Sequence, residues 1–332
     1  MAETSTAQKV DEVRARGMRA VAVETVRELV RLREQRWGNL WGYALIAPAV
    51  ILYLIFEAWP IVRGVFMAFS DYRWLLRETH GLGGFNGLDN WRELFADPTF
   101  WRSLKISAQF SVMFMPIALG LSLFTATMIS KVQNGKAAAV YRVVAYMPVV
   151  LPVTVAMLVW GKLYDVQFGY INVLLEKLGV ANPPNWLGSP KVALYSMVPP
   201  TIWLRFGEWT LLFLIGIYNI NREIYEAARV DGAGGFAQWL YITMPLLKPV
   251  FTLVLVLGTG IIGATVESMA LFQGTTGGPG QAALTTGVYS YRTAFISGDM
   301  RMGYAASMSL FVGLVNMAIT GGIFAIMRTE RN

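Results

Sequence analysis

The chain has 332 residues, 55% of them hydrophobic and 15% charged, with a mean hydropathy of +0.46; soluble domains carry roughly 25% charge, so this balance selects a membrane protein. Cysteine is absent and histidine occurs once, at His80, which excludes a disulfide framework, a thiolate nucleophile, a Cys/His metal cluster and a Ser-His-Asp constellation. The net charge of +7 is spread in a way that fits a membrane surface and not nucleic acid.

The N-terminal segment, 1–39, sets Val10, Val13, Val21, Val26, Leu29 and Leu32 among many arginines, a basic amphipathic helix over 9–36. Such a helix suits an anionic lipid surface or a protein partner, and the residues do not separate the two. Six apolar stretches follow, at 40–69, 104–130, 143–163, 194–220, 249–270 and 303–327. A bilayer core of about 30 Å needs about 20 apolar residues per helix, so the expected fold is an all-α membrane protein with six transmembrane helices over 40–327 and a short tail, 328–332. The first stretch contains "APAVILYLIFEAWP" and runs on past Pro60. It is too long for a signal h-region and has no small-residue cleavage site at the usual distance, so it reads as retained.

Orientation follows from the loops. With the N-terminus inside, the inner segments 1–39, 131–142, 221–248 and 328–332 hold 16 Lys and Arg, and the outer segments 70–103, 164–193 and 271–302 hold 8. The positive-inside rule then places both termini in the cytoplasm. Outside, "GLDNWRELFADPTFWRSL" reads as an amphipathic helix with Asp89 at its N-cap and Trp91, Leu94, Phe95, Phe100 and Trp101 available to the interface. "GYINVLLEKLGVANPPNWLG" reads as a short helix ended by Gly179 and a Pro-Pro turn. These outer segments suit either a docking face or a lid.

The inner segment 221–248 is unusual. It is about 28 residues long, and "EAARVDGAGGFAQWLYITMP" reads as a helical turn over Glu226 to Val230, a break at Asp231 to Gly235, and a second helix from Phe236 to Thr243. The residues alone fit a solvated loop. The spacing of Glu226-Ala227-Ala228, Gly232, Ile242 and Met244-Pro245, however, resembles the EAA signature of permease subunits of binding-protein-dependent ABC importers, with Met in place of the usual Leu. "GLDNW", "DPTFW", "GYINVLL", "GGPG", "YRTAF" and "MGYAAS" fall in order as in the carbohydrate-uptake branch, and are similar to permeases of the maltose and glycerol-phosphate importers.

That resemblance implies a role for the polar loop. It would be a coupling helix seated on an ATPase subunit, with Glu226 and Asp231 as polar contacts, Ala227 and Ala228 as packing surface and Gly232 as the turn. It also implies a second homologous permease subunit, an ATPase dimer that holds ATP and Mg, an extracytoplasmic sugar-binding protein, and a place in the bacterial or archaeal cytoplasmic (inner) membrane. The chain itself would hold no cofactor and catalyse nothing, and it has no Gly-x-x-x-x-Gly-Lys-Ser/Thr phosphate loop.

Ionisable residues at membrane depth are candidates for substrate contact. The fourth stretch carries Arg205 and Glu208 on one face, with Trp209 beside them; the fifth places Gly260, Gly263, Ala264 and Glu267 together; the sixth aligns Ser309, Gly313, Asn316 and Thr320. The candidate substrate contacts are Arg205, Glu208, Trp209, Glu267 and Asn316. The plain alternatives are an Arg205–Glu208 ion pair, helix packing by the small residues and an interhelical hydrogen bond from Asn316. Arg205 would favour an anionic solute. The rival class is an ion-gradient-driven secondary carrier working through Glu208 or Glu267, which calls for broken helices and an internal repeat.

Overall fold

Apolar length and proline placement decide where the helices run. The structure, a computed structural model, describes residues 41–76 and 84–327; the segment 1–39, His80 and the tail 328–332 lie outside the described residues. The chain divides into two units, 1–63 and 64–332. The described residues of the first are helical throughout and belong to α1, Trp41–Met67.

The second unit continues with α2 (Asp89–Ala96), α3 (Pro98–Ser130), α4 (Gly135–Tyr146), α5 (Val153–Leu163), α6 (Tyr170–Lys177), α7 (Val198–Tyr218) and α8 (Arg222–Val230). It ends with α9 (Gly235–Leu246), α10 (Lys248–Thr259), α11 (Thr265–Leu271), α12 (Thr286–Phe295) and α13 (Met302–Met327). Among the described residues there is no strand, only an isolated bridge between Ser70 and Phe85.

Among the described residues three helices, α1, α3 and α13, are long and apolar enough to cross a membrane, and two bent pairs raise the number to five if each pair is one span. The expected straight helix over 143–163 is not one helix. Helix α4 tightens into a 3₁₀ turn, Met147–Val150, then Leu151 is extended with ψ 135° and α5 restarts beyond Pro152, the two arms meeting at 97°. A residue before proline is pushed out of the helical region, which accounts for the break. The expected helix over 249–270 is broken too: α10 ends at Thr259, a 3₁₀ turn covers Gly260–Gly263, and Ala264 takes a left-handed conformation before α11.

Helix α3 starts earlier than its apolar run. The Asp97 carboxylate accepts from the Thr99 N–H at 2.8 Å and Pro98 takes the first helical position, where its missing N–H costs nothing. Helices α3 and α7 lie along one another, and Phe110, Phe114 and Ala118 pack with Trp209, Phe213 and Leu214. Ala156 and Met157 of α5 and Val254 of α10 close this core. Gly207 permits the approach of α4, because a Cβ there would meet the Ala145 carbonyl oxygen.

At the Asp97 end, α2, α3, α12 and α13 are tied by polar contacts. The second Asp97 oxygen accepts from the hydroxyls of Tyr289 at 2.7 Å and Tyr304 at 2.8 Å. Burial pushes the Asp97 carboxyl up, but hydrogen bonds from Tyr289, Tyr304 and the N–H groups of Thr99 and Phe100 outweigh it and hold it below the ordinary 3.8. Arg301 donates two bonds of 2.6 Å to the Glu93 carboxylate. Leu94 and Phe100, expected at the interface, are instead fully buried with Tyr304 and Met308; Phe95 and Trp101 stay exposed. Asp89 sits in the first turn of α2, one place after the N-cap.

Candidate functional site

Two regions collect the residues singled out by the sequence. The first is the polar segment after α7. Asn221 caps α8 by accepting from the Glu223 N–H at 3.1 Å, and the helix ends where Gly232 turns to φ 82°. Bonds from Gly232 N–H to the Arg229 carbonyl, 3.1 Å, and from Ala233 N–H to the Ala228 carbonyl, 2.8 Å, close a Schellman motif. The expected turn from Glu226 is thus the second half of a longer helix. Glu226, Ala227, Asp231 and Gly232 are exposed and Ala228 is half-buried.

The Glu226–Arg229 pair, 3.7 Å apart and more than half exposed on both sides, contributes little to stability. The segment is held from beneath. The hydroxyls of Tyr225 and Thr243 are 2.8 Å apart, and the Trp239 indole donates to the Thr127 hydroxyl at 3.3 Å. Val230, Phe236 and Tyr241 stand out among the polar positions, each at least 74% exposed. The sequence reading did not select these three; their apolar character beside a Gly-rich turn was the available signal.

The second region is a cavity of about 410 Å³ at the break after α10. Arg205, Glu208 and Trp209 of α7, Val153 of α5 and Leu257 of α10 line it, and Gly260, Gly263 and Ala264 to Glu267 complete the wall. Four of the five proposed contacts therefore meet. The alternative of an Arg205–Glu208 ion pair is not realised; Arg205 Nη2 turns to Glu267 Oε1 at 3.9 Å, and the Glu267 side chain is only 10% exposed. Trp209 borders the cavity but is 2% exposed and edge-on to Phe114 at 5.6 Å, so its ring belongs chiefly to the core. Asn316 lies on α13 away from the lining, with its Oδ1 buried and lacking a hydrogen-bond partner. Ser309 of the same helix is paired with Ser290 at 2.9 Å.

The break itself is built from small residues. Gly260 and Gly263 frame the 3₁₀ turn, the Ala264 carbonyl accepts from the Thr285 hydroxyl at 3.4 Å, and a Cβ on Gly287 would meet the Thr265 hydroxyl. Glu267 is thereby presented across the cavity from α7. The arrangement offers one guanidinium and two carboxylates, a set suited to polar recognition.

An all-helical architecture among the described residues, with three to five apolar spans and a charged cavity at a helix break, defines a multi-pass membrane protein. No protein-family model matches the chain. It is 31% identical over 299 residues to the probable ABC transporter permease protein YesP of Bacillus subtilis, covering 86% of this chain and 91% of that one. It is 30% identical to the trehalose/maltose transport system permease protein MalF of Thermococcus litoralis, covering 84% and 91%. The fold matches the crystal structure of a bacterial ABC transporter involved in the import of the acidic polysaccharide alginate, with a TM-score of 0.75, 23% identity and coverage of 91% and 100%. The chain belongs to the ABC transporter permease family, to which the sugar-uptake permease MalF also belongs. The broken helix expected of a secondary carrier is present, but family membership assigns it to this class.

Proposed function

We propose that this chain is the transmembrane permease subunit of an ATP-driven importer that moves a sugar, oligosaccharide or related polyol into the cytoplasm by alternating access. The observation that carries the reading is the charged cavity at the helix break, enclosed by α5, α7, α10 and α11. Sugar hydroxyls need donors and acceptors in place of water, and Arg205, Glu208 and Glu267 supply both. Ionisable groups at this depth are costly to bury, so their presence marks a functional site by default.

Six spans accommodate the chain: α1, α3, the bent α4–α5 pair, α7, the α9–α10 pair and α13. Helix α7 has 21 residues, about 32 Å at 1.5 Å per residue, which matches a core of about 30 Å. Its two charged residues lower its apolar content and face the cavity. Both termini and the α8 segment lie on the cytoplasmic side of an inner membrane, in keeping with the Lys/Arg bias.

Helix α8 is the coupling helix. Glu226 and Asp231 meet polar groups of an ATPase subunit, Ala227 and Ala228 allow close packing, and Gly232 sets the turn. The ATPase dimer binds ATP and Mg; a second homologous permease completes the pathway; a sugar-binding protein delivers solute from outside. Closure of the ATPase pair moves the coupling segments and opens the cavity outward, and nucleotide release reverses it, a two-state change biased from both faces. The test is ATP-dependent sugar uptake into proteoliposomes by the complex purified through this chain, with alanine at Glu208 and Glu267, which line the cavity. Normally assembled variants with unchanged uptake rate and KM would overturn the assignment of the cavity as the substrate path.

A further inference from the structure

The charges of the cavity are unequal. One guanidinium, Arg205, faces two carboxylates, Glu208 and Glu267. The cation has a counter-charge: Glu267 Oε1 stands 3.9 Å from Arg205 Nη2, an ion-pair distance without a hydrogen bond, with the Glu267 side chain nine-tenths buried and that of Arg205 40% exposed. Glu208 has no hydrogen-bond or ion-pair partner among the described residues and is half-buried on the cavity face of α7. An open carboxylate accepts hydrogen bonds and donates none.

We infer that the cavity selects sugars without an anionic group, with Glu208 as the acceptor for substrate hydroxyl or ammonium donors and Glu267 as the counter-charge that withholds Arg205 from anions. This rests on the cavity being the substrate site. A uronate or sugar phosphate entering it meets two carboxylates against one guanidinium, and its approach to Arg205 competes with Glu267. The wall around Glu267 is withdrawn from water, so like charges there are penalised more than at the open surface. A neutral sugar instead offers vicinal hydroxyls to Glu208, and an amino sugar offers a cation. Arg205 read from the sequence alone pointed to an anionic solute; its partner across the cavity reverses the sign. Gly260, Gly263 and Ala264 add small residues to the lining.

The test uses the complex purified through this chain, in neutral-lipid nanodiscs, and saturation-transfer NMR with three probes of equal ring size: glucose, glucosamine and glucuronate. The wild type is expected to bind glucose and glucosamine and to bind glucuronate at least about tenfold more weakly, the scale of a like-charge contact in a desolvated site. Glu267→Gln removes the counter-charge and is expected to raise glucuronate binding at least about tenfold, a gain that mere loss of packing would not give. Glu208→Gln is expected to weaken glucosamine more than glucose, and it reads the same cavity should Glu267→Gln fold poorly. Glucuronate binding equal to glucose in the wild type, or no gain in a folded Glu267→Gln, overturns the charge selection while leaving the cavity as the sugar site. Absence of binding by all three probes to the wild type overturns the cavity reading itself, and the inference with it.

Discussion

Replacing Gly232 by alanine tests how the end of α8 is made. The residue sits at φ 82°, and a Cβ built there meets nothing within 4 Å. No collision contributes, so the cost is that of holding an L side chain in the left-handed region, about 1–2 kcal/mol. Alanine also restricts the unfolded chain, which offsets about 0.4–1 kcal/mol. The net loss is about 1 kcal/mol in a segment that opens locally, a rise of about fivefold in the open population. Hydrogen exchange at the Ala233 amide, bonded to the Ala228 carbonyl at 2.8 Å, reads that opening directly. Gly232→Ala is expected to speed exchange there several-fold, and Gly232→Asn to speed it less, because asparagine tolerates the left-handed conformation. Equal rates in wild type and Gly232→Ala, or equal effects of alanine and asparagine, would refute the reasoning.

Asp97 holds a depressed carboxyl, so its contribution to stability is present above about pH 4 and is lost as the pH falls through its lower folded value. Asp97→Asn keeps a helix cap but loses the charge, and thermal melts in detergent are expected to show a lower Tm at pH 7 and a smaller fall between pH 5 and 3 than the wild type. Gly207→Ala forces α7 from the Ala145 backbone and is expected to cost about 1–3 kcal/mol, whereas Gly216→Ala meets the side-chain ends of Leu247 and Val250 and is expected to cost less; melting temperatures of the two decide. Trp209→Ala is expected to cost about 3–5 kcal/mol through loss of core packing, so expression and Tm should fall with transport; full stability with lost transport would show a direct substrate role instead.

The legible parts of the fold were those where local signals stand alone. Helices α1 and α13 lie within a few residues of their apolar runs, and Gly232 and Gly179 end helices as their positive φ requires. The third and fifth stretches were read as straight because hydropathy averages over a break. The punctuation was present all the same, in Pro148 and Pro152 for one and in Gly260 and Gly263 for the other. The helical period grouped Arg205 with Glu208, three residues apart, but the partner across the cavity is Glu267, 62 residues away, and no periodicity reaches that far. Asn316 shared a polar stripe with Ser309, yet a stripe does not say which neighbour it faces. The Asp97, Tyr289 and Tyr304 contacts are not legible in "DPTFW" and "MGYAAS", since side-chain convergence from three helices is a tertiary fact.

The central claim is that this permease is driven by an ATPase through α8. The most direct measurement is to tag the chain, extract it gently from its native membrane, and identify by mass spectrometry what copurifies, beside a variant carrying Glu226→Lys and Gly232→Asp. The account expects an ATPase and a second permease with the wild type, and loss of the ATPase alone from the variant. Recovery of the chain by itself in both forms, or an ATPase that stays bound to the variant with unchanged stoichiometry, would contradict it.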